Sequence, residues 1–112
     1  MAAKVIHVEV VGKDGAALQR FYGDVFDWSL DTNNPGGYGM YRQDDGLTGG
    51  IGPSSDGGAG HVTFYVHADD PQGALERVER GGGRVIMPLT EVAPGTTIAL
   101  FSDPEGHVVG LM

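Results

Sequence analysis

Gly60-His61-Val62-Thr63-Phe64-Tyr65-Val66, at the middle of the chain, is a glycine-led run of β-branched and aromatic residues and reads as a strand. Before it lies Gly52-Pro-Ser-Ser-Asp-Gly-Gly-Ala-Gly60, small, polar and flexible, with the composition of a linker. The order of elements then begins again. Downstream, Asp69 or Asp70 can cap a helix with Pro71 in its first turn, running to about Arg80 and stopped by Gly81-Gly-Gly83. Arg84 to Met87 reads as a short strand interrupted by Pro88. Thr97 to Ser102 and His107 to Leu111 read as a hairpin around Asp103-Pro104-Glu105-Gly106, a type I turn sequence.

Upstream the same order is found. Val5 to Val11 reads as a strand, and Asp14 caps a helix over about Ala16 to Val25. Leu18, Phe21, Tyr22 and Val25 give that helix its apolar face, and Phe21 and Trp28 are expected in the core. Trp28 to Leu30, Tyr38 to Arg42 and Leu47 to Ile51 read as three further strands. Ala17-Leu18-Gln19-Arg20-Phe21 answers Ala74-Leu75-Glu76-Arg77-Val78, and His7-Val8 answers His61-Val62. The chain is therefore read as one domain made by duplication: a module over 1–52, a linker over 53–60 and a module over 61–112. One helix on a small sheet cannot cover both faces of that sheet. Two such sheets can share a trough, and small-molecule pockets concentrate where modules meet.

Bulk composition removes several classes of function. The chain has 112 residues, seven Lys and Arg against fifteen Asp and Glu, and a formal net charge of −8. It lacks the basic footprint that a phosphate backbone requires, so neither nucleic acid nor an anionic membrane is expected as a partner. With no cysteine, thiolate catalysis, disulfides and Cys-ligated zinc are excluded. No signal-like stretch opens the sequence, and no window approaches the ~18 apolar residues of a membrane span; a cytoplasmic location is expected. Gly81-Gly-Gly-Arg84 is a helix stop without the context of a phosphate loop. No Gly-x-Ser-x-Gly elbow occurs.

Three segments carry a resemblance: Phe21-Tyr-Gly-Asp-Val-Phe-Asp-Trp28, Gly60 to Val66, and Phe101-Ser-Asp-Pro-Glu-Gly-His-Val-Val-Gly-Leu111. In this order, on a repeated plan, they resemble the vicinal oxygen chelate superfamily of glyoxalases, bleomycin-resistance proteins, fosfomycin-resistance enzymes and extradiol dioxygenases. The resemblance covers nearly the whole chain. It implies an α+β fold in which two βαβββ modules form a cupped, eight-stranded mixed sheet around a central cavity, helices outside. It also implies a homodimer, in some members with exchanged modules.

In the metal enzymes of that family the first strand of each module offers a histidine and the last a glutamate. Here the first-strand positions are His7 and His61. The closing positions fall on Gly110 and in Leu47 to Ile51, neither with a carboxylate. Two imidazoles without an acidic partner leave a divalent cation its full charge, whereas catalytic zinc usually has three protein ligands and non-haem iron two histidines and a carboxylate. Glu9, two residues from His7, shares its face of the strand. The pocket residues expected are His7, Glu9, Tyr38, His61 and Thr63. His67 and His107 are expected to face solvent, and Glu105 to serve the turn.

Two functions are weighed. One is a metal-independent small-molecule-binding protein of the bleomycin-resistance kind, with no cofactor. The other is a lyase, isomerase or oxygenase using zinc, nickel, manganese or iron held by His7 and His61, with Glu9 as the candidate third ligand. Whether the chain is an enzyme is left open between them.

Overall fold

The computed structural model describes residues 2–112, which fall into two units, residues 6–62 and residues 2–5 with 63–112. The elements alternate as expected of an α+β chain, and the described residues contain seven strands and two helices.

In the first unit, β1 (Val5–Gly12) runs parallel to β3 (Thr48–Pro53), with His7 opposite Thr48 and Glu9 opposite Gly50. β2 (Gly39–Arg42) pairs antiparallel with β3. The helix α1 (Gly15–Phe26) starts where Asp14 accepts the amide of Ala17 at 3.0 Å. It packs on β3 through Gly15, where a Cβ would overlap the backbone of Gly52 and Pro53. That close approach decides which side of the helix is covered. Gln19 is part of that side: its amide donates to the carbonyls of Ile51 (2.7 Å) and Gly37 (2.8 Å).

Two expectations are corrected here. Phe21 is not in the core but 57% exposed, because the helix turns Gly15, Leu18, Gln19 and Tyr22 toward covered positions instead. Trp28 is half-buried, its ring stacked on Tyr41 at 4.3 Å and on Tyr22 at 6.1 Å. Nor do residues 28–30 form a strand; a single bridge between Asp31 and Met40 is all that pairs there. Seven strands therefore stand where eight were implied.

In the second unit, β4 (His61–Val66, whose first two residues belong to the first unit) is followed by α2 (Pro71–Arg80), capped by Asp70 on the amide of Gly73 at 3.1 Å. β5 (Arg84–Ala93), β6 (Thr96–Ser102) and β7 (Val108–Leu111) form an antiparallel meander, and β7 returns parallel to β4. Leu75, Ala99 and Leu111 form the core, with Val85, Leu89 and Phe101 packed against it. Pro88 does not end its strand: β5 continues to Ala93 through three register shifts. It pairs only with β6 along this edge, where a missing amide is tolerated. The expected turn closes the β6–β7 hairpin, the amide of Gly106 donating to Asp103 O at 2.9 Å. Asp103 also accepts the amides of Glu105 and His107. Those bonds, with the His107 ring, hold its carboxyl below the usual aspartate range.

Candidate functional site

Alternation along β1 puts His7 and Glu9 on one face, and their partners on β3, Thr48 and Gly50, share it. The loop 31–38 brings a tyrosine over them. Asn34 donates its side-chain amide to the carbonyls of Asp31 and Tyr38, and Pro35–Gly37 makes one 3-10 turn with Gly36 at φ 69°. Tyr38 then lies across Gly50, where a Cβ would overlap its hydroxyl end. A side chain at 50 would therefore displace the Tyr38 ring.

The outcome is a row of hydrogen-bonding groups within residues 6–62. The Tyr38 hydroxyl donates to Glu9 Oε1 at 2.8 Å and lies 2.9 Å from His7 Nε2. His7 Nδ1 lies 2.6 Å from Thr48 Oγ1, which donates onward to Ile6 O at 3.2 Å. Glu9 Oε2 lies 2.8 Å from His61 Nε2. His7 is 6% exposed, and burial holds its imidazole below the usual histidine range, with the charge of Glu9 opposing. The His61 side chain, 25% exposed, is the outer end of the row. It lies on the wall of an open depression of about 540 Å³, with Val10, Val11, Leu18, Tyr22 and Val62.

Of the residues expected at the site, His7, Glu9, Tyr38 and His61 are joined in this row. Thr63 belongs to the other unit, where its hydroxyl donates to Val108 O. His67 and His107 are exposed beside Asp69 and Asp103, as expected. Thr48, bonded to His7, and Gly50, under the Tyr38 ring, are neighbours of the row that sequence reading missed. The signal for them was the strand register, which no local pattern carries.

A cation can be tested against this arrangement. Among the described residues, no three His, Cys, Asp or Glu side chains are disposed to hold a metal. The nitrogens and carboxylate oxygens that would ligate it are turned to one another, with the Tyr38 hydroxyl between His7 and Glu9. At the closing strand of the second unit, Gly110 sits against the Tyr65 ring, and even a Cβ would overlap it. The residues present do not fit a divalent cation.

Residues 4–111 match the model of a family described as the Glyoxalase/Bleomycin resistance protein/Dioxygenase superfamily. The chain is 30% identical over 112 residues to "Putative glyoxylase CFP32" of Mycobacterium bovis, covering 93% of this chain and 43% of that protein; the chain spans less than half the length of the curated relatives it matches. Among solved structures it is similar to a glyoxalase/bleomycin resistance protein/dioxygenase superfamily member from Vibrio splendidus 12B01, at 16% identity and TM-score 0.61, covering 98% of this chain and 97% of that one. It is also similar to Streptomyces coelicolor methylmalonyl-CoA epimerase (E43Q variant, in complex with 2-nitronate-propionyl-CoA), at 15% identity and TM-score 0.61, covering 99% and 96%.

Proposed function

From the premise that the chain belongs to the Glyoxalase/Bleomycin resistance protein/Dioxygenase superfamily, we propose that it is a metal-independent small-molecule-binding protein of the bleomycin-resistance kind. The binding site is the row from His7 to His61 together with the apolar depression at its outer end. One observation carries this reading: the Tyr38 hydroxyl is bonded between the imidazole and the carboxylate that a metal would have to draw together. A buried polar row of this kind fixes the orientation of a ligand whose apolar part lies along Val10, Val11 and Tyr22. The net charge of −8 favours neutral or cationic ligands over anions.

A thermal-shift screen of metabolites tests the reading, because binding to the folded state raises the melting temperature by mass action. Ligands that stabilise the wild type after chelator treatment, and stabilise His61→Ala less, support it. A library in which only divalent metals stabilise the chain opposes it.

The second reading is a metal-dependent lyase, isomerase or oxygenase. It is favoured by one feature, the single carboxylate of Glu9 lying between two imidazoles, and requires Tyr38 to swing out. Metal bound stoichiometrically in protein purified without chelator would favour it.

The same proposal includes a homodimer in the cytoplasm and the modular division 1–52, 53–60 and 61–112. Phe21, Val25 and Phe26 of α1 are each more than half exposed, more apolar surface than one helix ordinarily leaves uncovered. Sedimentation of the wild type as a dimer and of Phe21→Glu as a monomer is expected.

A further inference from the structure

Val8 and Glu9 face opposite sides of β1, and so do their partners Gly49 and Gly50 on β3. Each glycine seats a tyrosine. Tyr38 lies over Gly50 on the side of the row, and Tyr41 lies over Gly49 on the other side, where a Cβ would overlap its ring. Trp28 stacks on Tyr41 at 4.3 Å with the ring planes 16° apart, and Tyr22 and Phe26 close against Trp28 at 6.1 and 5.1 Å. The Trp28–Tyr41 pair forms the aromatic wall of an open depression of about 490 Å³ beside β2. Pockets of about 300–1,000 Å³ are the size that takes small molecules.

Three charged residues line the same depression: Asp27, Arg42 and Asp44. Among the described residues, none of their side chains is ion-paired with another. Asp27 stands there at a conformational cost. It ends α1 at φ 58° and ψ 37°, left-handed backbone that glycine adopts freely; among the described residues it is the one non-glycine with positive φ. Glycine would close the helix as well, whereas aspartate adds a carboxylate to the depression. The lining therefore combines ring surface, one guanidinium and two carboxylates. A guanidinium grips a carboxylate with two parallel bonds, a carboxylate holds an ammonium, and the rings take a planar apolar group. An anion alone would meet two carboxylates, and a cation alone would meet the guanidinium. A molecule bearing all three complementary parts satisfies every group.

We propose that this depression is a second binding site, for a zwitterionic amino acid with a planar side chain. Its carboxylate lies on Arg42, its ammonium toward Asp27 and Asp44, and its ring against Trp28 and Tyr41. The site shares no residue with the row from His7 to His61. It stands whichever way that row is read.

Trp28 is the only tryptophan in the chain, so fluorescence excited selectively at indole reports on this wall. L-Phenylalanine and L-histidine, which do not absorb there, are titrated into the full chain. The expected result is a saturable change in Trp28 emission at millimolar concentration or below with at least one of them. Against L-phenylalanine, phenethylamine lacks the carboxylate and 3-phenylpropionate lacks the ammonium. Each should bind about tenfold more weakly, the size of one lost charge-assisted hydrogen bond. Arg42→Gln should remove the preference for phenylalanine over phenethylamine, which a merely structural role of Arg42 would not do. Asp27→Gly suits the backbone turn and should fold as well as the wild type while losing affinity. Asp44→Asn, in an exposed turn, gives the same readout should Asp27→Gly not fold. The proposal is overturned by no saturable response to either amino acid, by equal affinity for phenylalanine and its two analogues, or by binding that survives both aspartate substitutions unchanged. The first of these outcomes would leave the three charges as a solvated surface only.

Discussion

Tyr38 joins His7 to Glu9 with two hydrogen bonds of 2.8–2.9 Å, so deleting its hydroxyl leaves two partly buried polar groups short of a partner. Tyr38→Phe is expected to lower stability by about 1–3 kcal/mol, which denaturant unfolding measures. Gly50→Ala should lower it as well, because the added methyl displaces the Tyr38 ring from its seat; its thermal-shift response to ligands should fall with it. Acid acts on the same row. The imidazole of His7 lies below its unfolded value of 6.5 in the folded chain, so between those two values the unfolded chain binds more protons. Stability is therefore full above that value and declines as pH falls from it toward the folded midpoint. Melting temperatures measured from about pH 7.5 down to about pH 5 should fall, and fall less in His7→Gln, which has no ring to protonate. His7, Glu9 and His61 were legible as candidates because the repeated order of elements sets two histidines in matching places and alternation puts Glu9 beside one. Thr48 and Gly50 were not, since their part depends on the register between strands forty residues apart in sequence.

Caps made the helices readable. Asp14 and Asp70 each bind the amide three residues on, and replacing either with alanine should cost about 1 kcal/mol by denaturant unfolding. Strands were read less well, for two different reasons. Residues 28–30 have the residue types of a strand, but Trp28 spends its ring on Tyr22, Phe26 and Tyr41, and only Asp31 pairs with Met40. Pro88 looked like a terminator, yet β5 needs no amide there because it bulges along an edge. The closing strand β7 offers a sharper test. Gly110 lies opposite Tyr65 on β4, and the tyrosine ring fills the space that a side chain at 110 would take. Gly110→Ala should lose about 1–3 kcal/mol through overpacking. Gly110→Glu should destabilise the chain further without creating a metal site, which calorimetry with Zn²⁺ reads directly.

At the scale of the molecule, the fold was legible in the repeated order of strand, helix and strands, because that order is set by local breaks, caps and alternation. The site was legible only as a set of candidates. What makes it a connected row is a loop, 31–38, whose asparagine and glycine turns aim Tyr38 at a neighbour nearly thirty residues away, and sequence periodicity says nothing about where such a loop points. The proposed function turns on one feature: the first-strand histidines are bonded to tyrosine, threonine and glutamate side chains. Calorimetric titration of chelator-treated protein with Zn²⁺, Ni²⁺, Mn²⁺ and Fe²⁺ tests that claim most directly. The account predicts no stoichiometric binding to the wild type by any of the four metals. Stoichiometric binding that disappears in both His7→Ala and His61→Ala would contradict it.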